Sequence, residues 1–288
     1  MVTDPERADV GRALGDEGRS LGAETVLAEM SERITHGSEP PEHVAAAMLA
    51  CDVLLAPTTK SLSHTEARRA ASARGVRAAT MPGITTDMLV RTMSADPEGL
   101  RARSAAVAAA LTAASRVRIT SAQGTDVTFS IEGRSGIADT GDLRAPGAFG
   151  NLPAGEGFIA PIEGTTSGRI VFDGAAKMFG GEIVATIEDG YAVDLAGSGA
   201  LRLRSQLEPH GREAFAVAEL GIGTNTAARL TGAVLEDEKI LGTVHVAFGD
   251  NHSFGGTIRV SSHQDCVVLH PVVLVDERRL VSDGDLLV

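Results

Sequence analysis

The first ~95 residues alternate short apolar runs with stretches of helical composition. TVLAEM (25–30), DVLLAP (52–57) and VRAATM (76–81) are each bounded by turn residues and read as buried strands. Between them, GRALGDEGRSLG, PPEHVAAAMLAC and HTEARRAASARG read as helices, and Val2-Thr3-Asp4 as the stub of a first strand. Strands alternating with helices predict a parallel, doubly wound α/β sheet. Two further helices follow in ITTDMLVRTM and in the alanine-rich stretch at about 97–115, which closes a first domain at 1–115. From Val117 the period changes. VRITSAQGTDVTFSI alternates apolar and polar residues around Gly124, as a hairpin does. RIVFDGAA, EIVATIEDGYAVDL, TIRVSSH, CVVLHPVVLVD and RRLVSDGDLLV continue as short strands with glycine turns, interrupted by one helix near Thr226–Leu230. The second domain, 116–288, is therefore expected to be β-rich, a barrel or strongly curved sheet.

Composition narrows the function. Aromatic residues make up 3% of the 288, with no Trp and a single Tyr, Tyr191, so the chain lacks a stacking platform for single-stranded nucleic acid. A formal charge of −12 also opposes phosphate backbones. Cys51 and Cys266 sit in apolar contexts and read as buried free thiols, and no CxxC suggests a thiolate zinc site. No apolar run approaches the ~20 residues needed to span a bilayer. MVTDPERADV is too polar and acidic for a signal peptide, so a cytoplasmic protein is expected.

The candidate chemistry lies in the second half. His263 and Asp265 are two apart, so on a strand they share a face and offer a compact pair of metal donors, although a solvated strand face is the competing reading. In HVAFGDNHSFGG, Val244, Val246 and Phe248 place His245 on the opposite face, and the glycine-rich turn after it lets His252 reach inward. Glu219, within the apolar VAELGIG, is costly to bury unless a metal or cation pairs it. Glu156 likewise follows a Pro-Ala-Gly turn into an apolar strand. Together these residues supply enough oxygen and nitrogen donors for two divalent ions. Glu236, Asp237 and Glu238 read as a solvated acidic run. His64, with Lys60, follows the strand DVLLAP, and ligand sites in doubly wound sheets lie beyond the carboxyl ends of strands. The alternative is that Ser61 or Ser63 caps the next helix and His64 is exposed.

NLPAGEGFIAP, AELGIGTN, HVAFGDN and the final His-x-Asp, in that order, resemble the thermophilic metallo-aminopeptidases (aminopeptidase T and aminopeptidase S, leucyl aminopeptidase-like). The resemblance covers essentially the second domain. It implies two divalent metals (Zn, Co, Mn or Mg) on Glu156, Glu219, His245, His263 and Asp265, with Glu219 bridging them, and a homodimer that releases N-terminal residues from peptides. Glu219, His252 and His64 are then the candidate catalytic residues, with His252 or a nearby carboxylate carrying a proton to the leaving amine. The chain departs from that family in two ways. His252 stands where the peptidases have a tyrosine, and the chain is shorter, especially between His245 and His263. The same fold is also similar to a non-haem iron dioxygenase that opens dihydroxypyridine rings, in which a histidine replaces the Glu219 position and two His and one Asp hold Fe(II). Retention of Glu156 and Glu219 points to the dinuclear peptidase. A metal-dependent enzyme acting on a small molecule is the alternative.

Overall fold

The computed structural model describes residues 1–288, which divide into two compact units, Met1–Ser94 with Gly141–Ala154 and Ala95–Thr140 with Gly155–Val288. The domain boundary expected at 115 thus differs from the observed division after Ser94. The alanine-rich helix Pro97–Thr112 belongs to the second unit because its Val107 and Leu111 enter that unit's core. Gly157 is also pressed so closely against Val107 that a β-carbon would clash there.

In the first unit the expected parallel pairing is observed, but in two hydrogen-bonded groups rather than one doubly wound sheet. Val2–Thr3 pairs with Ala28–Glu29. Val53–Ala56 pairs with Arg77–Thr80, which in turn pairs with Phe149–Asn151, a strand supplied by the returning segment 141–154. Helices Ala8–Ser20, Glu42–Leu49 and Glu66–Ala73 intervene, and Val2, Val44, Met48, Leu54 and Leu62 meet in one core. Thr65, not Ser61 or Ser63, caps the helix Glu66–Ala73: its hydroxyl accepts from the Arg68 N–H, while the Glu39 carboxylate accepts from the Glu66 and Ala67 N–H groups.

The second unit contains an eight-stranded sheet and a five-stranded sheet. The strand order of the larger one runs from Tyr191–Ala196 at one edge to Asp285–Leu286 at the other, so neither it nor the smaller sheet closes and the expected barrel is not formed. The two sheets instead share one core. Ile119, Phe129, Ile170 and Phe172 from the larger meet Leu220, Val246, Phe248 and Val268 from the smaller, and Phe172 packs edge-to-face on Phe248 at 5.9 Å. Arg116–Thr120 and Asp126–Ser130 form the expected hairpin around Gly124.

Two expected elements are absent. Residues 226–230 form no helix, because side chains claim their backbone donors: Asn225 Oδ1 accepts from the Ala227 N–H, and Glu236 Oε1 accepts from the Arg229 N–H. TIRVSSH forms no strand before His263. The N–H groups of Thr257, Ile258 and Val260 are taken by the side chains of Glu163, Asn251 and Asp250 rather than by a ladder. No helix is long and apolar enough to cross a membrane. Cys51 and Cys266 are free thiols, the first half-buried and the second buried.

Candidate metal centre

The smaller sheet has the strand order His263–Val268, Val244–Gly249, Val217–Gly223, Glu156–Ile159, Ile137–Asp139. Alternation sends Leu220, Ile222, Val244, Val246, Phe248, Cys266 and Val268 into the core. The other face therefore carries the polar residues. Its register pairs Asp139 with Glu156 and Glu156 with Gly223. The next rows align Phe158, Gly221 and His245, then Glu219, Ala247 and Asp265, and finally Gly249 and His263. Gly221 has a specific reason to be glycine, since a β-carbon there would overlap the His245 ring.

Glu156, Glu219 and His245 are all buried and offer donor atoms close enough to share one metal ion. His245 Nε2 lies 3.0 Å from Glu156 Oε2 and 3.4 Å from Glu219 Oε1. His263 Nε2 lies 3.4 Å from Glu219 Oε2 and 3.5 Å from Asp265 Oδ1. Glu219 therefore stands between the two imidazoles, one oxygen toward each. His263 Nδ1 lies 2.8 Å from the Asp250 carbonyl, which can only accept. That contact puts a ring proton on Nδ1, and in the neutral ring it leaves the lone pair on Nε2 facing the carboxylates, the usual second contact of a metal-bound histidine. Glu156 Oε2 is buried and accepts no well-aligned hydrogen bond, and His245 Nδ1 is buried without a partner. The mixed oxygen and nitrogen donors, the unsatisfied Glu156 oxygen and the space kept by Gly221 all fit a divalent transition metal.

Without a metal, the cluster balances its charge by holding protons. Burial works against a charged His245 ring, but the adjacent Glu156 carboxylate and the hydrogen bond to Glu219 raise its pKa well above the ordinary value. His263 is raised in the same way, against burial, by Asp265 and Glu219. Conversely, burial would raise Glu156, but Lys239 and His245 bring it down to about 2; Asp265 is likewise lowered to about 2, by His263 and His245.

Lys239 is the main feature the sequence concealed. It is 1% exposed, with Nζ 2.5 Å from Glu156 Oε1, 2.8 Å from Glu238 Oε1 and 3.5 Å from Asp139 Oδ2. Burial first, then the Asp265 and Glu156 charges, push Glu238 up to about 8 despite Lys239. The run Glu236-Asp237-Glu238 is therefore not solvated; all three are buried. The Asp237 carboxylate accepts from the Thr231 and Gly232 N–H groups, which accounts for its burial. A lysine directly followed by the apolar Ile240-Leu241 is the only sequence sign of this environment.

His252 is not brought to the cluster. It is exposed in the short 3₁₀ turn His252–Phe254. The residue this loop does deliver is Phe254, which packs edge-on against His263 at 5.9 Å and against Phe158 at 5.7 Å. Asn251 fixes the loop: its Nδ2 donates to Glu163 Oε1 at 3.0 Å and its Oδ1 accepts from the Ile258 N–H at 2.8 Å. His64 lies in the first unit, exposed in the turn between Val53–Ala56 and Glu66–Ala73. The expected set Glu156, Glu219, His245, His263 and Asp265 thus shares one face of one sheet, and His252 stands outside it.

The profile of the family described as NicX: 2,5-dihydroxypyridine 5,6-dioxygenase matches residues 19–288. No curated protein sequence matches the chain. Among solved structures, the 2,5-dihydroxypyridine dioxygenase of Pseudomonas putida KT2440 superposes with a TM-score of 0.81 at 18% identity, over 99% of this chain and 90% of its own. Wild-type AmpT from Thermus thermophilus superposes with a TM-score of 0.69, also at 18% identity, over 100% of this chain and 93% of its own. These identities establish a shared fold, and the peptidase resemblance of the second-half motifs survives at that level. With the profile spanning nearly the whole sequence, the chain belongs to the NicX family.

Proposed function

We propose that the protein is a metal-dependent dioxygenase that opens a hydroxylated nitrogen-containing aromatic ring of the 2,5-dihydroxypyridine class. This reverses the order of the two readings that the sequence motifs suggest, and the family match over residues 19–288 is the observation that carries it. Glu156, Glu219 and His245 would hold the metal, with His263 and Asp265 beside the second Glu219 oxygen. A bound ferrous ion would supply the open coordination positions that oxygen chemistry requires. The chain's own groups do the rest. Glu219 offers one oxygen to each side of the site and can accept a proton from a substrate hydroxyl. Phe158 and Phe254 form an apolar wall beside His263 that suits a planar ring and limits water at the metal.

A second reading keeps support from Glu219 and Glu156. An oxygen of Glu219 directed at each imidazole is the arrangement that a dinuclear aminopeptidase would use. One experiment separates them. Protein reconstituted anaerobically with Fe(II) is given 2,5-dihydroxypyridine in an oxygen electrode, and the same preparation, loaded with Zn, Co or Mn, is given aminoacyl arylamides. Substrate-dependent oxygen uptake without arylamine release is the expected result. Arylamine release without oxygen uptake would replace the dioxygenase with the peptidase.

A further inference from the structure

The two aromatic side chains beside the metal donors come from different parts of the chain. Phe158 lies in the row with Gly221 and His245, on the strand that also carries Glu156. Phe254 comes from the connection between Val244–Gly249 and His263–Val268. Both are half-buried, so each keeps surface free on the polar side of the sheet. The Phe254 ring stands at 77° to Phe158 and at 86° to His263, so the rings make a corner rather than a stack. A flat ring can lie against one wall of such a corner and meet the other with its edge.

What holds the corner together lies away from the metal donors. The turn that carries Phe254 closes on Asn251, whose carbonyl accepts from the Phe254 and Gly256 N–H groups and whose Oδ1 accepts from the Ile258 N–H. Gly255 takes a φ of 107°, and Gly256 is pressed against the Asn251 side chain with no room for a β-carbon. Glu163, just beyond the strand Glu156–Ile159, ties this turn to the Phe158 segment. Its Oε1 accepts from Asn251 Nδ2 at 3.0 Å and from the Thr257 N–H at 2.7 Å, and its Oε2 accepts from Arg134 at 2.5 Å. The Arg134 and Glu163 side chains are 17% and 25% exposed, so this pair is better shielded than an ordinary surface ion pair. We propose that Glu163 is a positioning residue for substrate: by fixing the Asn251 turn against the Phe158 segment it holds Phe254 in the corner, and so sets how tightly the site takes a planar ring without itself binding metal. The inference rests on the ring-opening reading above and deepens it by assigning what shapes the substrate side of the site. The general need is that a binding wall be locked by the residues behind it.

The test is anaerobic calorimetric titration of 2,5-dihydroxypyridine into the full-length protein loaded with Fe(II), with the iron counted by elemental analysis. Wild type, Glu163→Ala, Phe254→Ala and the double variant are compared. Each single variant is expected to keep its iron and to bind the ring about tenfold more weakly. The double variant is expected to bind no more weakly than Phe254→Ala alone, because Glu163 acts through that side chain. Glu163→Gln keeps an acceptor oxygen and should recover part of the loss; it replaces Glu163→Ala in the comparison if that protein does not fold. Unchanged ring affinity in either single variant, additive losses in the double variant, or loss of iron from Glu163→Ala would overturn the inference while leaving the ring-opening reading in place. No ring binding by the wild-type protein would remove that reading and the inference with it.

Discussion

The His245 imidazole lies across Gly221 on the neighbouring strand, in space that any β-carbon would occupy. Gly221→Ala must therefore displace the ring or spread the strands. We expect a loss of about 1–3 kcal/mol in stability from overpacking, together with loss of metal binding. Urea denaturation and metal analysis of the same preparation test this. Full metal content in the variant would mean that His245 is not a ligand.

Glu219 directs one oxygen at each of the two rings, 3.4 Å from His245 Nε2 and 3.4 Å from His263 Nε2. Glu219→Gln keeps the shape but removes the charge. Metal affinity should fall by at least about a hundredfold, and turnover should fall with it. A variant that retained its metal and its rate would show Glu219 to be a bystander.

The loop after Asp250 offers a contrast between neighbours. Exposed His252 predicts that His252→Phe changes stability by less than about 0.5 kcal/mol and leaves the metal content unchanged. Asn251 is fully buried and bonded through both amide atoms, so Asn251→Ala should cost about 1–3 kcal/mol by leaving the Ile258 N–H without a partner and Glu163 Oε1 with only the Thr257 N–H. Denaturation curves of the two variants side by side would test the assignment. A large effect at His252 would contradict it.

The protonation pattern gives the metal-free protein a defined pH response. His245 and His263 have raised pKa values in the folded state, so their stabilising contribution is complete below the ordinary histidine value of 6.5 and is lost as the pH rises through the raised values. Glu156 and Asp265 are lowered to about 2, so theirs is present above their ordinary values of 4.5 and 3.8 and is lost as the pH falls toward 2. Glu238, held up at about 8, loses stabilising effect as the pH rises above its ordinary 4.5, so chelated protein should melt highest, as far as this cluster governs it, near pH 5. Metal binding needs the deprotonated rings, so it should release protons and weaken as the pH falls. Melting curves across pH, with and without metal, check both signs. Metal affinity independent of pH would exclude the two histidines as ligands.

Much of this was legible in the sequence because it depends on local period. His263 and Asp265 share a face because they are two apart on a strand, and Val244, Val246 and Phe248 left His245 on the other side of its strand. Glu219 stood out as a carboxylate in an apolar run. What escaped depends on partners distant in the chain. Lys239 and Glu156 are 83 residues apart, and a charged run such as Glu236-Asp237-Glu238-Lys239 looks solvated until those partners are known. Phe254 was overlooked beside His252 because only the turn geometry decides which of the two faces the cluster. The order of the two functional readings changed because the family match over residues 19–288 favours the alternative. Both solved relatives share the fold, so a ligand set on it does not by itself identify the reaction.

The strand Phe149–Asn151 completes the parallel sheet of the first unit, yet it lies beyond the first 46 residues of the second, Ala95–Thr140. During synthesis the first unit therefore cannot finish its sheet when Ser94 leaves the ribosome; Arg77–Thr80 must wait with an open edge until residue 151 has been made. The chain passes between the units at 94/95, 140/141 and 154/155, so no single cut separates them. A fragment ending at residue 94 would display an unpaired strand and should self-associate, and because the segments of the two units alternate even on a closed chain, no circular permutant can make the first unit continuous.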